Sequence, residues 1–198
     1  MIVILTACGS ADDTKNTQTE ERQENSQTAA ENSGVDAVSS ASYTTINGTS
    51  IGRLRAVADM IQENTGDDLF SIQTSVVYPA DGGELIDYAA KEQDENARPE
   101  LTNQIENLNQ YDTIFIGYPT WWYDMPQALY SFFDEYDFSG KTIVPFNVHN
   151  GSRFSGTIST IKELEPDAEV IENGFTVSER DVAEAAGEIA EWLNGLGH

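Results

Sequence analysis

Residues Tyr111–Pro126 read YDTIFIGYPTWWYDMP, and this stretch decides the fold. Its first half, Thr113-Ile114-Phe115-Ile116-Gly117, is an apolar run bounded by polar residues, which predicts a strand buried on both faces. Its second half sets Trp121, Trp122 and Tyr123 between Pro119 and Pro126, so large aromatic groups crowd a proline-braced loop at the strand's exit. Broad aromatic faces at such an edge suit a planar conjugated ligand. They equally suit an aromatic lid packed on a neighbouring helix, and the stretch alone leaves both readings open.

On either side, apolar runs alternate with amphipathic segments. Leu54, Val57, Ala58 and Ile61 fall at helical spacing, and Gly66 suits the C-cap. Leu69–Thr74 reads as a short strand. The polar excursion Val77–Gln110 predicts helices over Leu85–Glu95 and Pro99–Leu108, the second with Pro99 in its first turn. Pro126–Glu135 places Ala128, Leu129, Phe132 and Phe133 on one side of a helix. Lys141–Val148 (KTIVPFNV) reads as a strand, with Pro145 expected at a bulge or a strand margin. Thr157–Leu164 predicts a helix and Glu169–Ile171 a short strand. Val182–Leu196 predicts the last helix, with Ala186, Ile189, Ala190 and Leu193 inward.

Strand–helix alternation with nearly continuous apolar strands predicts an α/β fold, a parallel sheet covered on both faces. Ligands of such sheets bind beyond the carboxyl ends of the strands. The aromatic loop and a second loop, Asn147–Phe154, both follow strands at that edge. In the second loop His149, Asn150, Gly151 and Ser152 suit the edge of a ligand or a plain Asn-Gly turn. The loops' serines and threonines come with no convincing catalytic triad, which argues against a serine hydrolase. One cysteine and two histidines argue against a His/Cys metal site and exclude an internal disulfide. A formal net charge of −24 argues against nucleic acid or an anionic membrane surface as a partner.

The first residues, MIVILTACGS, carry Leu5-Thr6-Ala7-Cys8, which resembles the end of a bacterial lipoprotein signal with Cys8 as the lipidated residue. The apolar part is short and no basic residue precedes it. Gly9–Ser33 contains no aliphatic residue larger than alanine, so a flexible polar tether is expected. The layout predicts a signal remnant and tether over 1–34 and a folded domain over 35–198. It predicts an extracytoplasmic lipoprotein that meets the membrane only through Cys8, with a cytoplasmic protein as the alternative. In a competing reading Ile2–Leu5 pairs into the sheet as a strand.

Several blocks in order, ENARPEL, IENLNQYDTIFIGYPTWWYDMP, FFDEYDFSGKTIVPF and ELEPDAEV, resemble the bacterial flavodoxin family, most of all its exported or lipoprotein-attached branch. The resemblance runs from about Val35 to Leu196. It implies a doubly wound, flavodoxin-like, five-stranded parallel sheet, non-covalent FMN and an electron-transfer role with a redox protein partner. The alternative within the family is a small flavin oxidoreductase. It also implies that Pro119, Thr120, Trp121, Trp122 and Tyr123 border one side of the flavin, and His149, Asn150, Gly151 and Ser152 its other edge.

The family's first strand, an apolar run followed by a Ser/Thr-Gly-Asn-Thr phosphate loop, does not appear in that form. The resemblance sets Thr49, Ser50, Gly52 and Arg53 over the phosphate loop, with Arg53 and Leu54 replacing its Asn and Thr. The first strand is therefore expected to be atypical or missing. A flavodoxin-fold binding domain that has lost FMN is the alternative function.

Overall fold

The computed structural model describes residues 1–6, 43–79 and 81–197. Cys8 and the tether expected over Gly9–Ser33 lie outside the described residues. The chain forms β1 (Ile2–Thr6), a hairpin of β2 (Tyr43–Ile46) and β3 (Thr49–Gly52), α1 (Arg53–Thr65), β4 (Asp68–Ser71) and α2 (Gly82–Asp94). It continues through β5 (Thr113–Pro119), α3 (Gln127–Glu135), β6 (Thr142–His149), α4 (Thr157–Leu164), β7 (Glu169–Val170), β8 (Phe175–Ser178) and α5 (Ala186–Leu196).

The main sheet runs β4-β1-β5-β6, and β7 and β8 both pair with the far side of β6. β7 takes Thr142 and Ile143, and β8 takes Phe146 to His149, so the two short strands share one lateral place. The six strands thus fill five positions, as the family resemblance implies. β5, β6, β7 and β8 are parallel. β1 is antiparallel to both neighbours, with Ile2 opposite Ser71 and Gly117. The expected all-parallel sheet is therefore corrected at this one strand, and Ile2–Leu5 belongs to the sheet. Side chains alternate across a strand, so Val3 and Leu5 enter one core layer and Ile4 the other, all buried.

The sheet separates two apolar layers. α1 and α5 cover one, packing Leu54, Val57, Ile61, Ile189 and Leu193 on Phe115, Val144 and Phe146. The other layer packs residues of α2, α3 and α4 on Ile114, Ile116, Tyr118 and Ile143. α1 ends at Gly66, whose φ of 76° is open to glycine without a Cβ penalty. Asn47 and Gly48 join β2 to β3 with φ of 51° and 80°, a tight hairpin turn.

Three expectations are corrected. Pro99–Leu108 is no helix; only Leu108–Gln110 makes a 3-10 turn. The segment is held as a strap beside residues 71–75: Thr102 N–H donates to Gln73 O, and Ser75 N–H to Glu100 O. The Asn103 side chain bonds both Gln73 N–H and Ser71 O, so a helix would forfeit these bonds. Pro145 lies inside β6, not at its margin. The amides of Lys141, Ile143 and His149 turn their carbonyls to β7 and β8, and Pro145 shares their parity. Its missing N–H therefore falls in the gap between those two strands, where no acceptor is needed. In the last helix Ala185, not Ala186, is buried, because a 3-10 turn over Val182–Glu184 shifts the start of α5.

Candidate functional site

A cleft of about 380 Å³ opens at the carboxyl edge of β5 and β6. Pro119, Thr120, Trp121 and Trp122 form one wall, and Val148, His149 and Asn150 another. Arg53 and Leu54 close it from the start of α1, with Glu179 beside them. The apolar face of α2 supplies Leu85, Ile86 and Ala89.

The aromatic loop is a tight turn. Trp121 and Asp124 exchange both backbone hydrogen bonds, at 2.9 and 2.8 Å. Trp122 and Tyr123 occupy its two central places with φ of 48° and 67°. Such a turn ordinarily takes Asn and Gly, and each bulky residue there costs about 1–2 kcal/mol. Anchors offset the cost. The Trp122 indole N–H donates to Ile86 O at 2.9 Å. Trp121 meets Tyr78 edge-on, with centroids 5.7 Å apart. The Asp124 carboxylate accepts from Tyr130 Oη at 3.0 and 2.9 Å and from Met125 N–H at 2.7 Å. Tyr123 points away, 73% exposed, and does not line the cleft.

The second loop is joined to the first through Asn147. Its Nδ2 donates to Thr120 Oγ1 at 2.6 Å and to Arg153 O at 2.8 Å. His149 Nδ1 accepts the Gly151 N–H at 2.8 Å. Burial first, then the Arg153 charge, lowers the His149 pKa. The imidazole is therefore neutral near pH 7, with its proton on Nε2. Gly151, at φ 100°, shapes this turn but does not itself line the cleft, and neither does Ser152.

The start of α1 differs from that of α2. Asp81 caps α2 by accepting from Gly83 and Glu84 N–H. α1 begins at Gly52 with no side-chain cap and no acidic residue in its first turn. Its first-turn N–H groups and dipole favour an anion. Arg53 stands at this point with Nε and Nη1 buried and without a hydrogen-bond partner. The nearest carboxylate, Glu179, is 3.8 Å from Nη1. Thr49 and Ser50, expected over a phosphate loop, lie exposed on β3 and outside the cleft wall. Placing them there is corrected: β3 is half of a hairpin, and a strand's hydroxyls do not wrap a helix N-terminus. Because β1 is reversed, α1 is entered from this hairpin.

Of the residues singled out in the sequence, Arg53, Pro119, Thr120, Trp121, Trp122, His149 and Asn150 meet at the cleft. Reading from sequence misses Leu85, Ile86, Ala89, Val148 and Glu179. The amphipathic pattern of α2 was the available signal, but it does not say which apolar residues reach the sheet edge.

A family model for flavodoxin matches residues 42–196. The chain belongs to the flavodoxin family. The match starts just before β2, so β1 lies outside it. Among solved structures, this flavodoxin-family chain is similar to a candidate flavoprotein of Bacteroides uniformis, at 24% identity and a TM-score of 0.63. That likeness covers 76% of this chain and 93% of the other. A candidate flavoprotein of Bacteroides eggerthii is 27% identical, with a TM-score of 0.58 and coverage of 70% and 91%. A flavoprotein of Lactobacillus acidophilus, crystallised with FMN, is 20% identical, with a TM-score of 0.53 and coverage of 71% and 90%. No curated protein matches the chain.

Proposed function

We propose that this flavodoxin-family protein binds FMN in the cleft and serves as an electron carrier. Family membership and the structurally similar flavoprotein crystallised with FMN support the ligand. The observation that carries the reading is Arg53, with two buried donors that make no hydrogen bond, beside an uncapped helix start. A phosphate fits that donor set by charge and by hydrogen-bond number. Trp122, Pro119 and the α2 face offer an apolar wall to a planar ring. Neutral His149, through Nε2, and the backbone around Asn150 offer polar groups at its edge.

When bound, FMN supplies reversible electron transfer. The chain's own residues bind, orient and exclude water: Trp122 closes one side through its bond to Ile86, and Asn147 keeps both loops in register. The acidic chain suits a basic redox partner.

Titration of the purified protein with FMN and with riboflavin, which lacks the phosphate, tests the reading by visible absorption and flavin fluorescence. FMN is expected to bind about 10–100-fold more tightly, the worth of a charge-assisted contact of about 1.5–3 kcal/mol. Arg53→Gln is expected to narrow that gap. Equal affinities would remove Arg53 from the phosphate, and unchanged spectra with both ligands would reject flavin binding.

A second reading, a flavodoxin-fold binding domain without FMN, is favoured by the reversed β1 and by Thr49 and Ser50 lying outside the cleft. The same titration separates the two. A lipid anchor at Cys8 is proposed as an alternative fate of the first residues. Cleavage before Cys8 would take β1 with it, so the anchor and this strand exclude one another. The intact mass of the mature protein distinguishes them.

A further inference from the structure

We infer that Trp121, Tyr78 and Tyr88 form a relay that moves an oxidising equivalent from the cleft to the surface, with Glu92 taking the Tyr78 proton. Trp121 lines the cleft and meets the Tyr78 ring edge-on at 5.7 Å between centroids. Tyr78 meets Tyr88 edge-on at 5.5 Å. Tyr78 is buried, whereas Tyr88 is half-exposed on α2. The rings therefore run in van der Waals steps from the cleft outward.

The proton partner separates this cluster from ordinary core packing. Tyr78 Oη donates to both Glu92 oxygens at 3.2 Å. Glu92 is buried and makes no ion pair among the described residues. A buried carboxylate without a cation is costly, and an apolar pair at these positions would pack at less cost. Burial raises the Glu92 pKa, which makes its carboxylate a stronger proton acceptor. An oxidised phenol is a very strong acid, so tyrosine gives up an electron readily only when a base stands within hydrogen-bond reach.

The steps balance. An oxygen-derived one-electron oxidant in the cleft takes one electron from the Trp121 indole, which releases its N–H proton to water. Tyr78 then gives one electron to Trp121 and its phenolic proton to Glu92, while Trp121 recovers a proton from water. Tyr88 next gives one electron to Tyr78 and its own proton to solvent, and Glu92 returns its proton to Tyr78. The net result is an intact cleft and a radical at Tyr88, where a soluble reductant can quench it.

The relay does not rest on FMN binding, and its test needs no flavin. Pulse radiolysis in azide solution generates azidyl radicals, which become azide as they oxidise indoles. At mildly alkaline pH, decay of the indolyl absorption is expected to match a rise of the phenoxyl absorption, at a rate independent of protein concentration. Tyr78→Phe is expected to abolish that phase. Glu92→Gln, which keeps the size but not the base, is expected to slow it by about a hundredfold. Deuterated solvent slows it in the unaltered protein, a readout that no folding defect can mimic. Tyr88→Phe is expected to keep the phase and lengthen the life of the phenoxyl signal. Unchanged kinetics in Tyr78→Phe, or no slowing in Glu92→Gln, overturns the relay. An unchanged lifetime in Tyr88→Phe removes its outer step.

Discussion

The indole of Trp122 donates its N–H to the carbonyl of Ile86 at 2.9 Å, which ties the turn after β5 to the middle of α2. Two elements far apart in sequence thereby share one wall of the cleft. Trp122→Phe keeps an aromatic ring at the wall but loses the donor and the five-membered part of the indole. It is expected to cost about 1 kcal/mol, the net worth of one neutral hydrogen bond, read from urea denaturation. Hydrogen exchange in α2 is expected to rise in the same variant. No change in either would show that the ring alone holds the wall.

Gly117 is required by a neighbour rather than by its backbone. A Cβ there would lie 2.1 Å from Cζ of Phe146 and 2.3 Å from its Cε2. Both residues sit on paired strands of a buried sheet. Gly117→Ala is therefore expected to destabilise the fold by about 2–3 kcal/mol, the upper range for overpacking. Adding Phe146→Leu should recover part of the loss, and a double-mutant cycle of denaturation midpoints checks the coupling.

Glu165 sets a pH dependence. Burial, then the Asp137 charge, pushes its carboxyl from 4.5 up to about 7. The folded state binds this proton more tightly than the unfolded chain. Its contribution is thus complete below the ordinary carboxylate value and lost as pH rises through about 7. Glu165→Gln is expected to match the parent protein in mild acid and to be more stable than it above neutrality. Thermal melts across that window decide, and parallel curves would reject the assignment.

β1 fills the middle of the sheet, with Val3 and Ile4 fully buried. A chain beginning at Val35 leaves β4 and β5 without the strand between them. Such a chain is expected to lose its single cooperative unfolding transition, followed by far-UV circular dichroism in urea. Retention of the full-length midpoint would show that β1 is dispensable.

Local periodicity made α1, α2, α3 and α4 legible before any coordinates, as did the apolar runs of β5 and β6. The direction of β1 was not legible, because four apolar residues and a threonine carry no mark of which way a strand runs. Pairing partners distant in sequence decide that. Pro99 misled for a related reason: it suits a first helical turn, yet Asn103 and Thr102 bond to residues 71–73 and hold the segment extended. β8 was missed because four residues after Gly174 fall below the length at which alternation speaks. At the site, both loops were legible from their unusual composition. Thr49 and Ser50 were set over a phosphate loop by the family resemblance, where the chain forms a hairpin, and the α2 wall depends on helix placement that no local pattern encodes.

The broken edge beside Pro145 gives the fold a place to grow. Residues 172–174 leave the sheet where β6 presents no amide hydrogen, so extra residues between Glu172 and Asn173 would disturb no ladder bond, and would only part the Lys162–Glu172 ion pair from the Asn173 carbonyl that accepts the Trp192 indole N–H. The boundary is sharp on one side: Gly174 lies so close to Pro145 O that a Cβ would stand 2.3 Å away. A peptide loop or reporter grafted at that junction would sit away from the cleft wall. Evolutionary lengthening of this family member, or deliberate engineering of it, has an entry there that leaves the sheet intact.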